Sequence, residues 1–426
     1  MQDSKKFIKL LAPVLLKATS LVFERGEGPY LYTAEGKKYL DYVSGIAVNN
    51  LGHCHPKVVA AIKEQAEKLI HPSFSLGYYP SALNFVAKLT KYTPGDLDTV
   101  FFSNSGAEAV EASLKFARYI TKKPVYITYR GAFHGRSFGA TSATSASVSY
   151  RAGYEPLLSS VYHAPYPYCF RCPYKQKVDS CSLECLEEIT RMFDYLVDPS
   201  TVALVLIEPV QGEGGYIVPP QKYMNALVSL CKEKGLLLAL DEIQTGFGRT
   251  GHMFAAEHFG IQPDIIVLGK AIASGMPLSA IVSRKELMEK WTPGSHGSTY
   301  GANPVSCAAA LASLEVIEEE DVLKNCQKVG SYFRDQLLKL QEKFPVIGDV
   351  RGLGLMLAVE LVDAKGAPNA AATKAINQYC YENGVLFYNC GTYKNCIRFM
   401  TPLNITTSVV DEGLTVLEKA LEKVSN

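Results

Sequence analysis

Lys270 stands one glycine past the apolar run Ile265–Leu268, a position where a lysine is either a snorkelling surface residue or a desolvated amine. Burial disfavours the ammonium form, lowers its pKa and leaves a nucleophile able to form a Schiff base with a carbonyl compound. Asp241 closes the run Leu236–Leu240 in the same way. A carboxylate at a buried strand edge needs a cation or N–H donors; a protonated pyridine nitrogen would serve, and a helix cap is the plainer alternative. Ser105, Gly106 and Ala107 open a stretch whose apolar positions Val110, Leu114 and Ala117 recur at helical spacing. The first N–H groups of a helix have no partner inside it, so a serine and a glycine there either offer donors to a phosphate or form a simple cap.

These residues fall at the ends of predicted strands. Short apolar, β-rich runs occur at Thr99–Ser103, Val125–Tyr129, Val202–Ile207, Leu236–Leu240 and Ile265–Leu268, with helical patterns at Ala107–Ile120 and Gln221–Lys234. Continuous apolar strands alternating with helices predict an α/β fold with a mostly parallel sheet covered on both faces. Each run is followed by a polar cluster: Ser103–Glu108, Tyr129–Arg136, Glu208–Glu213, Asp241–Thr245 and Gly269-Lys270. In open α/β sheets ligands bind at that edge, so the clusters are expected to share one site. An amine that can form a Schiff base, a carboxylate suited to a pyridinium and a phosphate cradle are together what pyridoxal phosphate requires.

The chain has 426 residues, 47% hydrophobic and 20% charged, with 43 Lys+Arg against 42 Asp+Glu and a net charge of +1. That balance excludes a disordered chain and gives no general attraction to nucleic acid or anionic membranes. The apolar runs are far short of the roughly 20 residues that span a bilayer. Phe7–Leu16 is expected to be a short amphipathic arm packed on the body, and the protein is read as cytoplasmic. A large domain is expected at about residues 60–320, with a small α+β domain built from both chain ends, about 1–59 and 321–426. Gly28–Asp41 reads as a meander turning at Glu35-Gly36. The C-terminal part reads as helices at Ser306–Glu319, Val322–Lys343 and Ala371–Asn383, with strands at Leu355–Glu360 and Cys396–Met400.

Several signals compete. Gly246–Gly251 matches the glycine pattern of dinucleotide-binding turns, but Asp241–Thr245 separates it from its strand and the next strand ends in Gly269-Lys270 rather than an acid. A nicotinamide dehydrogenase is therefore not expected. His53 and His55, read as part of a strand, are taken as a poor metal chelate. Eleven cysteines include the cluster Cys169, Cys172, Cys181 and Cys185 in a proline-rich loop, whose spacing suits a metal, disulfides or free thiols alike. No metal is assigned.

In combination, Asn104–Ala109, Phe133–Arg136, Glu208–Gly215, Asp241–Arg249 and Leu268–Lys270 resemble the motifs of class III aminotransferases of pyridoxal-phosphate fold type I, the group holding 4-aminobutyrate and acetylornithine aminotransferases. The resemblance runs from about Phe23 to Leu421. It implies that Lys270 is the Schiff-base lysine and proton shuttle and that Asp241 pairs with the pyridine nitrogen. It implies further that Phe133 and Ile243 flank the ring, Gln244 bonds the ring hydroxyl, and Glu208 and His134 lie beside the cofactor. Ser105, Gly106 and Ala107 would hold the phosphate, with Thr299 reaching the phosphate of a partner subunit in a homodimer or dimer of dimers. For substrates, Arg136 would take the distal carboxylate and Arg398 an α-carboxylate. Glu213 would cover Arg398 when the donor lacks an α-carboxylate, and Ile46 would lie near the substrate. The activity implied is transfer of an amino group from an ω-amino acid, with 4-aminobutyrate the first choice, to 2-oxoglutarate. Ornithine, acetylornithine, lysine and β-alanine are other donors, and a racemase or epimerase of the same family shares the same core residues.

Overall fold

The computed structural model describes residues 7–425. Its centre is a seven-stranded sheet of β4 (Thr99–Ser103), β5 (Val125–Tyr129), β6 (Val161–Ala164), β7 (Val202–Ile207), β8 (Leu237–Asp241), β9 (Ile265–Leu268) and β10 (Ser279–Ser283), in the order β4-β10-β9-β8-β7-β5-β6. β10 runs antiparallel to both neighbours, and the remaining strands are mutually parallel. Every residue of β7 is buried, and its side chains alternate between the two faces as strand geometry demands. Leu204 and Leu206 join the core under the Gly106–Thr121 helix, whereas Val205 and Ile207 join the core under the Gln221–Lys234 helix. The class expected from the apolar runs, an α/β protein with a mostly parallel sheet, is the class observed.

The meander forms β1 (Phe23–Glu27), β2 (Tyr30–Thr33) and β3 (Lys38–Asp41), and its fourth strand comes from the far end of the chain: β13 (Val385–Leu386) lies parallel to β3. A third sheet joins β11 (Ile347–Leu353), β12 (Met356–Leu361), β15 (Cys396–Phe399) and β14 (Tyr388–Cys390). Helices Pro304–Glu319, Val322–Lys343, Ala370–Glu382 and Thr407–Ser425 complete the C-terminal part. Among the described residues no helix is long and apolar enough to cross a membrane.

Four sequence expectations need correction. The strand expected at Leu236–Leu240 is Leu237–Asp241, so Asp241 is itself the last strand residue. β6 and β10 were not expected; β10 begins and ends in serines that are buried because Ser279 donates to the Ser105 carbonyl and Ser283 to the Asp264 carbonyl. Phe7–Leu16 does not pack on the body: Leu10, Val14 and Leu16 are 73%, 76% and 90% exposed. His53 and His55 lie not on a strand but at an isolated bridge to Gly28 and at a helix start. His53 Nε2 is 2.8 Å from Asp41 Oδ2 and His55 Nε2 is 3.2 Å from Glu320 Oε1, so each is engaged by a different carboxylate.

Candidate active site

The strand registers bring the chemistry together. Ile207 pairs with Leu240, and Asp241 pairs with Val267, so Glu208, Asp241 and Lys270 leave the sheet at neighbouring points of one edge. There they meet in a cleft of about 500 Å³. Of the residues singled out in the sequence, Ile46, Gly106, Ala107, Phe133, His134, Arg136, Glu208, Glu213, Asp241, Ile243, Gln244, Lys270 and Arg398 line it. Ser105 and Thr299 do not. Ser105 caps the Gly106–Thr121 helix in a reciprocal arrangement with Glu108, which satisfies two N–H groups and leaves those of the next residues free. Thr299 is exposed, and its neighbour Ser298 accepts a 2.9 Å hydrogen bond from Asn104.

At the floor, Asp241 Oδ2 is 2.7 Å from His134 Nδ1, and Asp241 Oδ1 accepts from the Ile243 N–H at 3.1 Å. His134 is fully buried and its Nε2 has no hydrogen-bond partner among the described residues. Burial opposes a charge on this imidazole, but the Asp241 hydrogen bond and charge outweigh it and raise its pKa. Glu208 accepts from the Phe133 N–H at 3.0 Å and the Gly212 N–H at 2.8 Å. Burial pushes its carboxyl up to about 7. Lys270 begins a single helical turn at φ +47, a left-handed conformation uncommon outside glycine and typical of constrained sites. Its amine makes no hydrogen bond or ion pair among the described residues. Burial, reinforced by the Arg398 charge, pulls it down to about 8.

The two arginines differ. Arg398, on β15, is buried, with Nη1 2.9 Å from Glu213 Oε2 and its guanidinium 5.3 Å from the Tyr388 ring. Burial would weaken this cation, but Glu213 more than offsets it and holds the pKa above the ordinary arginine value. Arg136 is exposed and engages no acid among the described residues; its guanidinium lies 4.3 Å over the Tyr150 ring. At the mouth, Ser44, Gly45, Ile46 and Ala47 carry φ of +45°, +65°, +66° and +59°. A β-branched residue in that region is an outlier held by its surroundings. Asp41 Oδ1 supplies the hold, accepting from the Val43 and Ser44 N–H groups at 2.8 and 3.1 Å.

Sequence reasoning missed Tyr150, Tyr216 and Tyr388. Tyr388 is the cross-strand partner of Arg398, a signal that exists only once the pairing is known. Tyr216 donates to Gln244 Oε1 at 2.5 Å and so orients that side chain. Cys169, Cys172, Cys181 and Cys185 line one small cavity that shares no lining residue with the cleft, and all eleven cysteines are free thiols. Among the described residues no group of three or more His, Cys, Asp or Glu is arranged to hold a metal ion.

The chain matches the family model for class III aminotransferases over residues 14–421, and it belongs to that family. It is 42% identical to a probable 4-aminobutyrate aminotransferase of Bacillus subtilis (strain 168) over 93% of this chain and 92% of that one. It is 39% identical to an alanine/serine racemase of Pyrococcus horikoshii over 96% of this chain and 87% of that one. A solved amine transaminase from an uncultivated Pseudomonas species, described as PLP-bound, superposes with a TM-score of 0.89 at 31% identity, covering 97% of this chain and 98% of that one. The protein is thus a pyridoxal-phosphate-dependent enzyme of the aminotransferase class. The residues fit the cofactor on their own evidence. The lysine is desolvated and has no partner among the described residues, a carboxylate ends beside it, and the Gly106 backbone lies so close to Ile243 that a Cβ would stand 3.0 Å from its Cδ1.

Proposed function

We propose that this enzyme transfers the amino group of an ω-amino acid, 4-aminobutyrate first, to 2-oxoglutarate by a ping-pong reaction in one cleft. The observation that carries the reading is the unequal state of the two arginines. Arg136 engages no acid among the described residues and is ready for a distal carboxylate, while Glu213 covers Arg398. A donor without an α-carboxylate needs only the first anchor. Glutamate and 2-oxoglutarate need both, and are admitted when Glu213 moves off Arg398. A guanidinium holds a carboxylate through two parallel hydrogen bonds, which fixes the chain length between the anchors.

When bound, pyridoxal phosphate supplies the aldehyde that takes up the amino group and the ring that accepts the electrons of the C–H bond. The protein does the rest. Lys270 Nζ would take the proton from the substrate carbon as general base and, as general acid, deliver it to the carbon on the cofactor side of the shared nitrogen. Asp241, itself hydrogen-bonded to His134, would pair its carboxylate with the ring nitrogen. Phe133 and Ile243 would flank the ring, Gln244 would hold the ring hydroxyl, and the free N–H groups of Gly106 and Ala107, on the helix that Ser105 caps, would hold the phosphate. Thr299 completes the phosphate site of a partner subunit in a homodimer. Eleven thiols without a disulfide among the described residues suit a reducing compartment such as the cytoplasm.

The racemase relative makes isomerisation the reading to test against, because proton removal by the lysine begins both reactions. Holoenzyme mixed with 4-aminobutyrate alone should lose its visible cofactor band, and 2-oxoglutarate should restore it. If 4-aminobutyrate does nothing and a single-enantiomer α-amino acid loses its chirality without an oxo acid, the enzyme is an isomerase and the proposal fails.

A further inference from the structure

Tyr150 lies between the two halves of the substrate site. Its hydroxyl donates to Glu213 Oε1 at 2.9 Å, while the other oxygen of the same carboxylate faces Arg398 Nη1 at 2.9 Å. Its ring carries the Arg136 guanidinium at 4.3 Å and meets the Phe133 ring edge-on, with centroids 5.4 Å apart and an interplanar angle of 74°. The backbone beneath it is pinned by the next residue: Arg151 Nη1 donates to the carbonyls of Thr141, Ser142 and Thr144 at 3.2, 3.0 and 2.8 Å. Glu213 is fixed from behind as well, its carbonyl accepting from the Gly391 N–H at 2.8 Å. Burial and the Glu213 charge push the Tyr150 phenol up to about 12, so it remains a donor throughout the range in which the enzyme can be assayed.

The carboxylate of Glu213 must leave Arg398 before an α-carboxylate can enter, and in leaving it gives up both partners. We propose that Tyr150 is a positioning residue that sets the balance between the two carboxylate anchors: its hydroxyl holds Glu213 over Arg398, and its ring carries Arg136. This inference rests on the reading of Glu213 as a removable cover. It separates two parts of one side chain. Loss of the hydroxyl alone favours ligands with an α-carboxylate, whereas loss of the ring weakens every ligand that uses Arg136.

Glutarate tests this without turnover, because it spans both anchors and carries neither an amino nor an oxo group. Titration calorimetry of the holoenzyme with glutarate is the measurement. Tyr150→Phe is expected to bind glutarate about tenfold more tightly than the unmodified enzyme, the size of one hydrogen bond to a charged group. Glu213→Ala should also tighten it, and Tyr150→Phe added to Glu213→Ala should change it less than about twofold, since the hydroxyl would act only through that carboxylate. Tyr150→Leu, which lacks the hydroxyl as Tyr150→Phe does, should bind glutarate more weakly than Tyr150→Phe in both backgrounds. Unchanged or weaker binding by Tyr150→Phe, an equal effect with and without Glu213, or no glutarate binding to any variant overturns the proposal. Failure of 4-aminobutyrate turnover is a separate result: it removes the donor assignment and leaves the glutarate cycle readable.

Discussion

Charges of both signs surround Lys270, and burial decides between them. Arg398 adds to the effect of burial, while Asp241, Glu208 and Glu213 oppose it, and the amine settles at about 8. An ordinary lysine near 10.4 would be under about 1% neutral at pH 8, whereas this one is about half neutral. Because the pKa is lowered, the reactive form grows as pH rises through 8 and not through 10. Glu208, pushed up to about 7, has by then mostly lost its proton. The rate at which apoenzyme takes up pyridoxal phosphate should therefore rise between about pH 7 and 9, with a midpoint near 8, and then level off. Stopped-flow absorbance would follow it. In Arg398→Gln the midpoint should move up, since a lowering charge is gone. A midpoint above 10 in the unmodified enzyme would mean that the amine is hydrated in the open cleft.

At the scale of elements, the strands that bear the site were legible because each is a continuous apolar run ending in a polar cluster. β10 was not, because its buried serines read as polar until Ser105 and Asp264 are known to accept from them. The left-handed turn at Ser44–Ala47 has no local signal either: Asp41 imposes it from outside the segment. Gly246–Gly251 carried a true signal of close backbone approach, but the approaching group is protein. Arg249 in this loop is wholly buried, donating to the carbonyls of Leu355 and Thr401. Gly354 stands against Thr250, and Gly330 of the Val322–Lys343 helix stands against Gly354, where a Cβ would lie 2.4 Å from the Gly354 carbonyl oxygen. Alanine in a helix interior ordinarily gains about 1 kcal/mol over glycine. Here backbone blocks it on a stacked surface that cannot yield, and overpacking of that kind costs about 1–3 kcal/mol or more. Gly330→Ala should thus lower the melting temperature despite its better propensity, with a net loss of up to about 2 kcal/mol. A raised melting temperature in thermal unfolding would show that the Gly354 loop moves aside.

The whole chain leaves apolar groups that a single copy does not cover. Leu16, Leu76 and Tyr78 are at least 80% exposed, and Tyr300, beside Thr299, is 60% exposed. Exposed side chains of this size and polarity are in keeping with the proposed homodimer. The assignment of Thr299 to the partner's phosphate has a test that only a shared site passes. Thr299→Ala should weaken cofactor retention by about tenfold, as expected for one hydrogen bond to a charged group. Lys270→Ala should be inactive. In a hybrid of the two variants, the Thr299→Ala subunit keeps its lysine and receives an intact threonine from the Lys270→Ala subunit, so one complete site forms. Hybrids isolated with two different affinity tags should therefore retain cofactor at that site as tightly as the unmodified enzyme and turn over at half its rate per dimer. If Thr299 instead serves its own subunit, no site in the hybrid is complete, and cofactor retention stays as weak as in Thr299→Ala alone.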